Sequence, residues 1–244
     1  MSMRQTFLRR LSDDRSGVAL IELALSLPVL LTLGLMGIET ARYAIASMRC
    51  SQMAMTVADN ASRVRVQITE DDIAELMQGA KTIGQGINFS ANGRIILSDL
   101  EPYEASTPPD LTKSPNQWIR WQRCSGDKEV TSTYGVPKSA NGSIINNGTE
   151  RTTPSDPAHS QPTNGTATTA TGMGPANNQI AAARGTAVMF VEVIYDYQPL
   201  VPLLKPLLGT RTINFTAAFN VRQRTDQVLY AGTTSVLRCS VFAP

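Results

Sequence analysis

Apolar residues run almost without interruption from Val18 to Ile38, in VALIELALSLPVLLTLGLMGI, and Glu22 is the one ionisable side chain among them. As a helix this segment is about 31 Å long, enough to cross a bilayer core of about 30 Å. The pattern then turns amphipathic. Tyr43, Ile45, Met48, Met53, Val57, Ala61 and Val64 follow at helical spacing, and the stretch from Glu39 to Thr69 contains neither Gly nor Pro. One long helix over residues 18–66 is predicted, its Met and Ala residues serving packing. Pro28 removes a backbone donor within the span and should kink it. Gly34 and Gly37 would let another helix approach closely. Thr69 followed by Glu70, Asp71 and Asp72 reads as an N-cap with acids in the first turn, opening a second helix over Glu70–Ile83 that Gly84 and Gly86 stop.

Beyond that helix the period shortens toward two. Asn92-Gly93 between INFS and RIILSDL is a hairpin signal. Residues 118–123, WIRWQR, read as a strand in which Trp118 and Trp121, three apart, face opposite sides, one in the core and one partly exposed. In TAVMFVEVIYDYQ, residues 186–198, Met189, Val191, Val193, Tyr195 and Tyr197 form an uncharged face, the expected core side. Leu200–Leu208 reads as a short apolar turn or helix, and residues 211–224 as a last strand. A long helix followed by antiparallel strands gives an α+β fold. Residues 138–178 are dominated by Gly, Ser, Thr, Asn and Pro, so this segment is expected to be a disordered loop within the domain. Asn141, Asn147 and Asn164 within it begin N-x-Ser/Thr acceptors. Asn60, Asn88 and Asn214 match the same pattern elsewhere, a scatter that favours chance.

Charge adds a topology. Arg4, Arg9, Arg10 and Arg15 outweigh Asp13 and Asp14, and this excess in residues 1–17 equals the whole chain's net charge of +2. A nearly neutral remainder is not the composition of a nucleic-acid binder. A basic leader before an apolar span predicts a cytoplasmic N-terminus and a translocated C-terminal domain. Three readings fit. A cleaved secretory signal could end near Ala44-Ile45-Ala46, but its apolar region would be too long and is followed by Glu39 and Arg42. A plain single-pass anchor is the second; its domain would bind a ligand or partner outside the cytoplasm. The third is a prepilin-type segment cut on the cytoplasmic side, after Gly17. Val18 would then be the mature N-terminus and Glu22 the fifth mature residue. There Glu22 could pair with the freed α-amino group of a neighbouring subunit, or reach back to the membrane interface.

The segment DRSGVALIELALSLPVLLTLGLMGIETARYA resembles the N-terminal signature of TadE/TadG-like proteins, minor pilins or pseudopilins of the tight-adherence (Flp) pilus system. The resemblance covers residues 12–65 and is looser beyond. It implies a non-enzymatic pilus component, processed by a prepilin peptidase after Gly17. Its partners would be other pilin subunits, the assembly machinery and the inner membrane, with the domain from residue 67 onward in the periplasm. Leu23 departs from the family, which often has an aromatic after the acid.

Three cysteines remain: Cys50 on the long helix, Cys124 after the tryptophans and Cys239 near the end. A non-cytoplasmic domain permits a disulfide. Cys124–Cys239 is the preferred pair because both lie in the globular part, although any of the three pairings is open. Cys50 would then be free or intermolecular. No CxxC suggests a metal site, and no GxxxxGK[ST], GxGxxG, GxSxG or HExxH pattern occurs. His159 lies between Pro157 and Pro162 in the polar loop, a poor place for a catalytic base. Neither a catalytic set nor a cofactor site can be assembled.

Overall fold

A computed structural model of the protein describes residues 16–103, 111–112, 114–137, 172–200, 209, 211–224 and 226–242. Helix α1 spans Ser16–Arg63 and continues through Pro28. After it come strand β1 (Ile68–Thr69), helix α2 (Glu70–Gly84), a 3-10 turn (Gln85–Ile87) and a helical turn α3 (Phe89–Asn92). Strands β2 (Gly93–Tyr103), β3 (Asn116–Ser125), β4 (Val188–Asp196), β5 (Thr212–Asn220) and β6 (Leu229–Tyr230) complete the chain. The main sheet is antiparallel with order β3-β2-β4-β5, and β1 pairs in parallel with β6. The expected α+β architecture is present. The chain divides into two compact units, one holding α1 up to Ile45 with Pro199 and Leu200, the other Ala46–Gln198 and the described residues from 209 onward.

In the second unit the sheet is covered on both faces. One face carries Leu97, Asp99, Met189, Val191 and Val193 and lies on the side of the helices. There Tyr195 donates its hydroxyl to the Ile87 carbonyl at 2.7 Å and stacks on Phe89 at 5.8 Å. Ala46, Cys50, Met53, Ala54, Val57 and Ala61 form the buried stripe of α1. The other face buries Leu100, Ile119, Val188 and Phe190 with Met173, Ala182 and Tyr134. Beside them Ile96, Ile194 and Cys124 pack with Val130 and Cys239.

Four local expectations change. Asn92-Gly93 does not turn a hairpin. Phe89 is buried, so the INFS segment coils to deliver its ring to Tyr195, and the chain reverses at Asn88 in the left-handed region (φ 53°). The tryptophans do not face opposite sides. Strand β3 places two residues, Arg120 and Trp121, against the single Asp99 of β2. This bulge shifts the alternation by one, so Trp118 and Trp121 share the helix-side face and both are buried. On β4, Glu192 is buried as well, because residues 130–136 and 173–182 cover its face. Within the polar loop predicted over 138–178, residues 138–171 lie outside the described part. Met173 is fully buried and bridges Ile180, so the end of that segment belongs to the core. The Leu200–Leu208 segment also falls almost wholly outside the described residues.

Each acid at the start of α2 has its own task. Thr69 and Asp72 form a reciprocal capping box, a motif that stabilises a helix start by about 1 kcal/mol. Asp71 accepts the backbone N–H groups of Thr233 and Thr234 at 2.9 and 2.8 Å, which lowers its carboxyl to about 2. Glu70 forms a buried ion pair with Arg123 of β3. Removing one member of such a pair leaves an uncompensated charge. Arg123→Ala should therefore lower the unfolding free energy of the full chain in detergent by about 3–5 kcal/mol. Denaturant titration read by fluorescence of the buried tryptophans measures this; a loss below about 1 kcal/mol would mean the pair is not buried in solution.

Candidate functional site

The candidate site lies at the N-terminal end of the described part of α1, where Gly17 and Val18 are in its first described turn. Among the described residues, apart from its chain neighbours and its own helix backbone, nothing stands within 4 Å of the place a Cβ would take at Gly17, and Val18 is exposed. The Gly17–Val18 bond is therefore unobstructed by described residues but helical, and a protease needing an extended substrate would have to unwind that turn. Glycine lowers the cost of doing so. Glu22 follows one turn later and is exposed, with no hydrogen-bond or ion-pair partner among the described residues.

Around it the surface is almost wholly apolar. Leu20, Ile21, Leu23, Leu25, Leu27, Val29, Leu30, Leu31, Leu33 and Ile38 are all exposed. Gly17–Arg63 is long and apolar enough to cross a membrane. The polar side chains within the apolar run satisfy themselves on the helix. Ser26 donates to the Leu23 carbonyl at 3.2 Å and Thr32 to that of Val29 at 2.8 Å. Glu22 has no such local hydrogen bond among the described residues. At the far end of the run Glu39 is buried and accepts the Leu200 N–H at 3.1 Å. Nothing in the sequence marks that contact, because 161 positions separate the two residues.

The rest of the domain buries several charged groups. Cys124 and Cys239 are joined by a disulfide across 115 positions. Cys50 is free and fully buried, and burial pushes its thiol up to about 12, so it is no nucleophile. Asp99 is buried without a hydrogen-bond donor on either oxygen; Trp121 beside it gives its indole N–H to the Gln227 carbonyl at 3.1 Å. Burial, reinforced by Glu101, pushes the Asp99 carboxyl well above its ordinary range against the opposing pull of Arg120 and Arg224. Arg224 is fully occupied. It donates to Gln227 at 3.0 Å and to the carbonyls of Ala61 and Val64 at 3.3 and 3.4 Å, closing the end of α1. Among the described residues no group of three or more His, Cys, Asp or Glu side chains could hold a metal. His159 lies outside the described part.

Glu192 is the titratable group with the clearest consequence. Burial raises its carboxyl from 4.5 to about 7, although the Ser132 hydroxyl and the Thr133 N–H both donate to it. A carboxyl raised by folding contributes stability that is complete below the unfolded value, near pH 4.5, and is lost as pH rises through about 7. Across that window wild type should lose about 3 kcal/mol relative to Glu192→Gln, whose amide does not titrate. Paired denaturant titrations at pH 4.5, 6 and 8 measure this; parallel curves for the two proteins would refute it.

The model of one family, described as TadE-like protein, matches residues 17–59, the segment that holds Gly17, Val18, Glu22 and the apolar run. No curated protein and no solved structure matches the chain.

Proposed function

We propose that this chain is a membrane-anchored minor pilin of a tight-adherence type pilus, inserted through α1 and cut by a prepilin peptidase after Gly17. The observation that carries this is a coincidence of positions. The TadE-like match begins at Gly17, immediately before the exposed apolar surface of α1, spans all of that surface and includes its one acid, Glu22.

Physical chemistry supplies the roles. The basic leader holds residues 1–17 in the cytoplasm while α1 enters the inner membrane and the sheet domain crosses to the periplasm. Cleavage turns the Val18 nitrogen into an α-amino cation at the start of a run that is apolar except for Glu22, and adds a charge that is costly in lipid. Glu22 of one subunit paired with that amine on another compensates two such charges at once. Pairing also fixes the axial register of two otherwise featureless apolar helices, since a slip of one turn would strand both charges. Gly34 and Gly37, open on the helix surface, leave space for the neighbouring helix. In the periplasm, an oxidising compartment, the Cys124–Cys239 bridge is stable and ties down the C-terminal segment. The role is structural and requires no catalysis or cofactor.

Mass spectrometry of the protein from native membranes should find Val18 as the N-terminal residue; an intact leader would leave only an uncleaved anchor. Glu22→Ala should be inserted and processed yet lost from sheared pili, and normal incorporation would remove the proposed pairing. Alkylation under denaturing, non-reducing conditions should label one thiol, Cys50, while labelling of three would place the domain in a reducing compartment.

A further inference from the structure

Strand β5 closes one side of the main sheet, and its outer edge is unpaired among the described residues. The opposite edge differs: there the Cys124 N–H of β3 is taken by the Leu237 carbonyl at 3.0 Å. The bonding parity of β5 follows from the contacts at its two ends. Tyr197 donates to the Arg211 carbonyl at 2.9 Å, and Val221 donates to the Ala187 carbonyl at 2.8 Å. Antiparallel strands alternate bonded and non-bonded pairs, so the odd-numbered residues of β5 bond inward to β4. Thr212, Asn214, Thr216, Ala218 and Asn220 therefore direct their N–H and C=O groups outward.

Edges left open in natural sheets are guarded by charges, proline or a bulge. The sequence of β5, TINFTAAFN, has no charge and no proline, and its register with β4 runs unbroken from Thr212 to Asn220. It is also complementary to itself. An antiparallel copy centred on Thr216 places Thr216 against Thr216, Asn214 against Ala218 and Thr212 against Asn220. On the other face Ile213 meets Phe219 and Phe215 meets Ala217. Every cross-strand pair is then polar or small on one face and apolar on the other, with no charge opposed to a like charge. Phe215 and Phe219, only half-buried as they stand, would gain apolar neighbours.

We propose that two copies of this chain join β5 to β5 in antiparallel register about Thr216, merging their sheets into one through a two-fold, isologous contact. The outward groups of each strand then exchange hydrogen bonds with those of the other. This proposal does not depend on the pilus assignment, since it rests on the edge alone.

Single cysteines placed on the edge of the full-length chain, oxidised in membranes with copper-phenanthroline, test the register. In a bonded antiparallel pair the two Cα atoms stand about 5.5 Å apart, within disulfide reach. Thr216→Cys should therefore give a disulfide dimer. Thr212→Cys alone should give none above wild type, because the two copies of residue 212 would lie about 27 Å apart. Mixed Thr212→Cys and Asn220→Cys chains should recover the dimer. Thr216→Lys, which opposes two cations at the centre, should shift the wild-type dimer to monomer in analytical ultracentrifugation with its far-ultraviolet circular dichroism unchanged. The proposal fails if Thr216→Cys gives no dimer or if Thr212→Cys dimerises equally. It also fails if the adduct has the mass of a different protein, in which case the edge serves a foreign strand.

Discussion

A guanidinium taken out of water costs several kcal/mol unless an anion and further acceptors meet it, and Arg123 has no exposed side-chain surface at all. Glu70 meets it from the first turn of α2, and the Gln122 carbonyl takes a further donor at 3.0 Å. The pair pins the start of one helix to an edge strand of the sheet, and neighbouring contacts build on that junction. Thr69 and Asp72 cap the same turn, Asp71 holds the backbone at 233–234, and Arg224 closes the end of α1 a few residues earlier in the chain. Helix end, helix start, sheet and C-terminal segment thus meet around a handful of charges, each of which would destabilise the fold if left alone.

The opposite face of the sheet follows another economy. Irregular segments cover it, and side chains of the sheet supply the hydrogen bonds their backbones lack. Gln117 both donates to and accepts from Ala182, at 3.1 and 2.7 Å. Glu192 takes the Thr133 N–H at 3.0 Å, and Gln122 reaches the Gly135 carbonyl at 3.2 Å. Arg94 donates to Gly126 and to the carbonyls of Cys239 and Val241 at 2.8 and 3.0 Å, while Phe242 lies against its guanidinium at 4.4 Å. Buried polar groups on both faces therefore act as anchors for chain that has little hydrophobic content of its own. The disulfide closes the same C-terminal segment, and a loop of that length implies a stabilisation of about 4–5 kcal/mol in the chain-entropy picture.

Helix α1 joins two chemistries in one continuous element. Up to Ile38 its exposed side chains are those a membrane or another helix would cover; from Ala46 on it buries a narrow stripe of small and sulfur-containing residues in the domain. The same backbone geometry serves both, because a helix satisfies its own hydrogen bonds whatever surrounds it. Glu22 is the exception on the apolar half, and the proposed function turns on that exception.

The apolar run, the single acid and the basic leader were legible in the sequence because they are local: composition and spacing carry them without any partner. The capped start of α2 and most of the strands were legible for the same reason, since Thr69–Asp72 and the alternation in TAVMFVEVIYDYQ are short-range patterns. What the tertiary structure alone decided was which side of each pattern would be buried. One extra residue in β3 brought Trp118 and Trp121 to the same face, a register change that no spacing rule reveals. Glu192 looked like the wet side of a strand until Ser132 and Met173 covered it, and Phe89 left a strand-like sequence to reach Tyr195. Glu70 with Arg123, and Glu39 with Leu200, join positions far apart in the chain. Local pattern sets which conformations are inexpensive; long-range packing and the cost of buried charge select among them.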